Sequence, residues 1–507
     1  MKNTLIKNAE IFYEDRFIRG DIMIYNDRVE KIGAFSTGEF EPSSFEVLSL
    51  SGNTVLPSFF DSHTHFYSYA LSLNCLNLEN CRTADETMSA LADYIKTSDS
   101  EIIFGRGWSK SISNKDIPTR HVIDEIAGQR SVLLESKDSH SVILNSKALE
   151  FCGIDENTAV ENGIIERDSQ NRLNGILAEN AVLLAKPLYN CLYNVDEDTA
   201  ISCIEKASKR LMELGIGAIF NVEDIYSTGR IAKAREQGRF FQHFFTAIPE
   251  KEMDYAGTVP YKNLLRGVKC FLDGALGNLE AAMIEPYHNH ENNKGVLVKN
   301  YHSLMKTISK ASLKGLPAVI HAIGDRANKT ALDALKDSRG RKLAYHDRIE
   351  HAQLIFPGFS ENNYPSDIIF SMQPAHLLTD IKPIERFWGK ERAKYAFAFK
   401  TLKANGNPII FGTDTPIEKP DPLYGLYAAI NRRDRDNYPQ DGFMPEEAME
   451  VEDAIASYTT TPRRIYGIDN AIRLGSRPDF IIYDRNIDFS NLRHEDLDSY
   501  KIMRYFR

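Results

Sequence analysis

Pro408-Ile409-Ile410-Phe411-Gly412-Thr413-Asp414 and Pro317-Ala318-Val319-Ile320-His321 share one form: a proline, an apolar run, and a terminal residue able to bind a metal. An apolar run without polar alternation is the pattern of a strand buried on both faces, as parallel strands are when helices cover their sheet. Six further runs can be read the same way: Phe59 to His65, Gly217 to Val222, Gln242 to Ile248, Gly267 to Asp273, Arg348 to Gln353 and Ile368 to Pro374. Between most of them lie segments with helical spacing, such as Asp196 to Leu214, Leu304 to Leu313 and Lys329 to Ala334. Strands alternating with helices predict a parallel sheet, and eight such units predict an α/β fold closed as a (β/α)8 TIM barrel.

Outside these runs the pattern changes. Thr4 to Tyr13, Gly20 to Ile24, Arg28 to Gly33, Phe45 to Leu50 and Thr54 to Leu56 alternate over short stretches, with an Asn26-Asp27 turn between two of them. Half-buried antiparallel strands have this period. Asp479 to Asp484 resembles them, so residues 1–56 and 465–507 are expected to form one small β-sandwich, leaving 57–464 for the barrel. More than a hundred residues separate the first two barrel strands, too many for a structureless loop. That stretch contains an apolar strand, Ser131 to Glu135, and a helical segment, Ala84 to Ile95. Residues 73–194 are therefore expected to be an inserted α/β subdomain that leaves the carboxyl end of a barrel strand and overhangs the active face.

Composition bounds the partners. A chain of 507 residues exceeds one ordinary domain of roughly 100 to 200 residues and fits one large barrel with a satellite. A formal charge of -10 provides no basic field for nucleic acid or anionic lipid. The six cysteines (Cys75, Cys81, Cys152, Cys191, Cys203, Cys270) form no Cys-x-x-Cys pair, which suits a reducing compartment. No N-terminal stretch resembles a signal peptide, and no run reaches the roughly 18 apolar residues of a membrane span. The expectation is a soluble cytoplasmic protein acting on a small molecule.

Six potential ligands end or interrupt these runs: His63, His65, Lys269, His321, His351 and Asp414. His63 and His65 are two apart on a strand, so both imidazoles project from one face and can share an ion. Lys269 lies within Gly267-Val-Lys-Cys-Phe-Leu; facing inward it can react with carbon dioxide to a carbamate that bridges two ions, whereas facing outward it is an ordinary snorkelling lysine. His321 and His351 offer nitrogen ligands for a second ion, or are core histidines. Asp414 can touch a metal and carry protons, or can open a turn before Pro416. Each alternative stands alone, but all of them together would have to place six ligand types at the carboxyl ends of five strands, the face where barrel active sites lie.

With these motifs assembled, the chain resembles the amidohydrolase superfamily, in the subgroup of N-substituted formamide deformylase and the YtcJ-like proteins. The resemblance is carried by His63-Thr-His65, Lys269 in V-K-C-F-L-D-G-A-L-G, His321 in I-H-A-I-G-D-R-A, His351 in R-I-E-H-A-Q and Asp414 in F-G-T-D-T-P. Supporting motifs are G-R-G-W (Gly105 to Trp108), P-T-R (Pro118 to Arg120), N-S-K-A-L (Asn145 to Leu149), S-M-Q-P-A-H (Ser371 to His376) and D-P-L-Y-G (Asp421 to Gly425). Two departures are Ser58, where the family usually has glycine, and Asn278-Leu279-Glu280, where it has Ser-Arg-Thr.

The resemblance implies that His63, His65 and Asp414 hold one divalent ion and His321 and His351 another, with carboxylated Lys269 between them. Zn2+ suits these ligands, as do Mn2+, Fe2+ and Co2+, and a single-ion site is the variant. It also implies hydrolysis of a C–N bond in an amide or N-acyl amine, with Asp414 as proton shuttle and His376 donating to a carbonyl oxygen. Asp325 and Arg326 are expected to touch substrate or orient ligands, and Trp108 and His140 of the insertion to line a lid, with core packing the equal alternative for Trp108. A homodimer is a family-level expectation. The competing readings are aminohydrolysis of a cyclic amidine, which Lys269 disfavours, and a non-catalytic regulator, which the intact ligand set disfavours.

Overall fold

The computed structural model describes residues 3–35, 45–79, 81, 83–108, 118–136, 141–160, 163–277, 279–468 and 472–507. All eight predicted runs are strands of one parallel sheet: β1 (Phe59–Thr64), β2 (Ile216–Val222), β3 (His243–Pro249), β4 (Leu265–Phe271), β5 (Ala318–Ala322), β6 (Arg348–His351), β7 (Ile369–Met372) and β8 (Ile409–Phe411). They pair in chain order from β1 to β8. The predicted helices are Glu197–Glu213, Tyr301–Leu313 and Asp325–Asp337.

The last seam is short. β8 meets β1 through a single parallel bridge between Thr64 and Thr415, flanked by the amide of Asp414 donating to His63 O (2.8 Å) and that of His65 to Thr415 O (2.9 Å). Gly412 makes this approach possible, because a Cβ there would lie 2.4 Å from the His63 nitrogen. Thr413 completes the seam by donating both its amide (2.9 Å) and its hydroxyl to the buried Asp61 carboxylate.

Inside the barrel, Arg348 is the principal polar tie. Its guanidinium donates to Glu350, to Ser62 O (2.6 Å), to Ser371 Oγ (2.6 Å) and to Tyr466 OH (2.8 Å), and stacks over Phe220. Both Arg348 and Glu350 are fully buried, so their charges are stable there only as a pair. Phe60, Phe245 and Tyr466 stack beside them.

Strands from both chain ends form a second sheet. The expected sandwich is instead one hydrogen-bonded ladder of seven strands, in the order Ile502–Phe506, Phe480–Tyr483, Thr54–Pro57, Thr4–Tyr13, Arg16–Tyr25, Arg28–Gly33, with Glu46–Ser49 also pairing with Thr4–Tyr13. Thr4–Tyr13 can serve two neighbours on one edge because a bulge at residues 6–9 splits it, with Asn8 at φ 56°. Asn26 and Asp27 both have positive φ, as their tight hairpin turn requires.

The same compact unit, Met1–Phe66 with Ser208–Arg507, joins this sheet to the barrel. The contact is built on Ser58, the departure from the family pattern. Its Oγ donates to Asp479 Oδ1 (2.7 Å), which also accepts from Tyr505 OH (2.9 Å), while Asp479 Oδ2 accepts from Arg463 (2.7 Å).

The other compact unit is Tyr67–Ala207. Its six-stranded mixed sheet contains Ser131–Ser136 between Ile102–Trp108 and Ser141–Leu144, with the helix Ala84–Thr97 packed in its core. No helix among the described residues is long and apolar enough to cross a membrane.

Candidate metal centre

The candidate ligand residues converge at the carboxyl end of the barrel, but not all at strand ends. Lys269 and His321 lie within β4 and β5, His351 closes β6, and His65 follows β1. Asp414 lies three residues beyond β8 in a left-handed turn, φ 60°, and His351 has φ 71°. Such backbone is strained for non-glycine residues and persists where surrounding contacts impose it, as the β1–β8 seam does for Asp414.

His63 and His65 are oriented by what their far nitrogens bind. His63 Nδ1 donates to Glu350, itself held by Arg348, and His65 Nδ1 donates to Val222 O (2.7 Å). Their Nε2 atoms therefore face Asp414 Oδ1, at 3.5 and 3.1 Å. Two lone pairs aimed at a carboxylate repel it unless a cation intervenes: a proton in the metal-free protein, a divalent ion in the loaded one. His321 Nε2 and His351 Nδ1 are buried without a hydrogen-bond partner. Metal coordination would satisfy such atoms, whereas left alone each costs about 1–3 kcal/mol.

Two triads have ligand atoms within 4.8 Å of one another: His63, His65 and Asp414, and His351, His376 and Asp414. The first matches the expected set. The second differs from the expected one, since His376 takes the place beside His351 that the resemblance implies for His321. His376 Nε2 is 3.4 Å from Asp414 Oδ2. His321 remains adjacent, its ring centroid 4.5 Å from that of His351, with Nε2 3.6 Å from the buried Asp273 carboxylate.

Charges here are strongly perturbed. Burial lowers His321 and His351 well below the usual histidine range. Burial raises Asp414, but His63, His376 and His65 outweigh it and hold the carboxyl well below its ordinary value. His376 is lowered by burial yet raised more by Asp414, Asp380 and Glu418, to about 9. Burial pulls Lys269 below the ordinary lysine value against Glu350 and Asp414, so its neutral amine becomes more accessible.

The remaining predicted residues lie elsewhere. Asp325 is buried at the start of the helix Asp325–Asp337, where Oδ1 accepts from the amides of Ile284 and Arg326 (both 2.8 Å); it holds a loop rather than facing the ligands. Arg326 has an exposed side chain. Trp108 is 1% exposed and its indole donates to Leu134 O (2.9 Å), so its ring belongs to the core of the smaller unit. His140 and Asn278 lie outside the described residues.

Sequence reasoning missed Glu350, Arg348, Asp61 and Asp273, the buried groups that orient the ligands and the seam. Asp273 accepts from the amides of Ala282, Ile323 and Gly324, and burial pushes its carboxyl up to about 7. A carboxylate two residues from a predicted ligand, or inside a predicted apolar strand, was the available signal.

An eight-stranded parallel barrel with imidazoles and an aspartate gathered at its carboxyl mouth defines an α/β-barrel protein with a candidate metal site. The comparisons agree and narrow it. A family model described as "Amidohydrolase family" matches residues 46–499, and the chain belongs to that family. It is 29% identical to putative amidohydrolase YtcJ of Bacillus subtilis, over 89% of this chain and 86% of that protein. It is 24% identical to N-substituted formamide deformylase of Arthrobacter pascens, over 96% of this chain and 94% of that one. Among solved structures, an uncharacterized metal-dependent hydrolase from Pyrococcus horikoshii superposes with a TM-score of 0.77 at 26% identity, covering 97% of this chain and 99% of that one.

Proposed function

We propose that this chain hydrolyses a C–N bond, in an amide or N-acyl or N-formyl amine, at a divalent metal centre held by His63, His65, His321, His351, Lys269 and Asp414, with His376 beside it. The observation that carries this reading is the convergence of buried imidazoles on Asp414 in two triads, with His321 Nε2 and His351 Nδ1 beside them unpartnered. Zinc fits the donor set, and the lowered Lys269 amine is the form that reacts with carbon dioxide to a carbamate able to join two ions. When bound, the metal supplies acidity, lowering the pKa of water from about 15.7 toward about 7, and polarises a carbonyl.

The chain's own residues do the rest. Asp414 accepts the proton of the attacking water as its oxygen bonds to the acyl carbon, then returns that proton to the nitrogen as the C–N bond breaks. His376, 3.4 Å from Asp414, is placed to donate toward the acyl oxygen. Glu350 and Val222 O keep the His63 and His65 rings from rotating.

The test is to screen metal-loaded protein against N-formyl, N-acetyl and longer N-acyl amines, with Asp414→Asn as control. Amine release by the wild type that is lost in the variant supports the reading. No release from any amide under conditions where metal is bound overturns it.

A further inference from the structure

Beside His376 lies a polar group that the reaction above does not use. Asp380, on the helix Leu377–Pro383, is half-buried and feels the charges of His376 and Glu418. Its Oδ2 accepts from Gln353 Nε2 at 3.4 Å. Gln353 follows β6 by two residues and is 4% exposed, and its Oε1 is buried without a hydrogen-bond partner. An acceptor left so costs about 1–3 kcal/mol, which a ligand's donor would offset.

His376, held up to about 9, is shared between Asp414 at 3.4 Å and Asp380, so Asp380 has no cation of its own. Asp414 lies within the ligand cluster, and Glu418 has Arg435 at 3.4 Å. Burial pushes the Asp380 carboxyl up to about 6 against the pull of His376, and among the described residues no lysine or arginine forms an ion pair with it. A carboxylate and a carboxamide oxygen side by side accept hydrogen bonds. An ammonium has three donors and no acceptor, whereas a ligand carboxylate would meet like charge there. His376 links the two places: its Nε2 is 3.4 Å from Asp414, its ring centroid is 6.2 Å from that of His351, and it stands one helical turn before Asp380.

We infer that Asp380 and Gln353 Oε1 form a subsite for a protonated amino group, so that the preferred substrates are N-acyl amines carrying a second, cationic amine. This rests on the amide-hydrolase reading and names the substrate class within it.

Three probes separate the possibilities: mono-N-formyl-1,4-diaminobutane, its neutral counterpart N-formylpentylamine, and the anionic N-formyl-5-aminopentanoate. Metal-loaded enzyme should favour the cationic over the neutral amide in kcat/KM by about tenfold or more, and reject the anion, since one charge-assisted contact is worth at least that. Asp380→Asn and Gln353→Met should bring the cationic-to-neutral ratio toward one. If either variant slows both substrates equally and leaves the ratio intact, the residues only position His376 and the subsite is refuted. Equal rates for cationic and neutral amides in the wild type would also refute it while leaving the hydrolase reading standing. If no amide is cleaved, calorimetric titration of the same probes into metal-loaded wild-type protein decides the subsite separately. Preferential binding of the cation supports it, and parity overturns it.

Discussion

The base and the mouth of the barrel are both dense in buried charge, yet they treat it oppositely. At the base, the Asp479 carboxylate accepts from Ser58, Tyr505 and Arg463, so each oxygen is matched within the chain. At the mouth, His321 Nε2, His351 Nδ1 and Gln353 Oε1 are buried with no hydrogen-bond partner. Matched buried polar groups hold a fold together. Unmatched ones are destabilising, and they persist where something outside the chain completes them.

The largest effect should come from breaking the mouth. Asp414→Asn is expected to cut kcat/KM by about 10^2 to 10^4, the range for a lost proton carrier, while the far-ultraviolet circular dichroism spectrum keeps its folded shape. The opposite pattern is expected at the base: Asp479→Asn leaves Arg463 buried beside a neutral amide and should cost about 3–5 kcal/mol in urea unfolding, with metal content per folded chain unchanged. An Asp479→Asn protein that folds normally but loses its metal would erase the distinction.

Lys269→Ala sharpens the mouth further. Bound metal, measured by mass spectrometry, should fall from about two ions per chain toward one or none; full occupancy would remove Lys269 from the ligand set. The smallest effect is a pH dependence at the base. Burial raises the Asp479 carboxyl, but Arg463, Ser58 and Arg507 outweigh it and hold it down at about 2. A lowered carboxyl stabilises the fold above its unfolded value near 3.8 and loses that contribution as pH falls toward 2. The stability gap between wild type and Asp479→Asn should therefore be constant from pH 7 to about 5 and narrow below about 4, as read from melting temperatures.

Much of this was legible in sequence because parallel strands are buried on both faces. Continuous apolar runs such as Pro408 to Asp414 and Pro317 to His321 marked the barrel without any partner being known. What sequence could not place was anything set by neighbours across the barrel. His376 lies after β7 with no periodic signal, and only closure brings its Nε2 to Asp414. Arg348 and Glu350 look like a charged surface pair in Asp347-Arg-Ile-Glu-His351, yet both are fully buried because Ser62, Ser371 and Tyr466 surround the guanidinium. Trp108 stood in a motif that suggested a lid, and packing claimed it for a core instead.

By itself, then, the amino-acid order determined eight strands, their parallel sense and the histidine pair on one face, since these follow from local periodicity and from helices covering a sheet. Only the tertiary structure decided which candidate ligands face one another, which carboxylates orient them and which acceptors remain open. Those depend on distances of a few ångströms between residues hundreds of positions apart, and on the near-closure of the sheet that Gly412 permits.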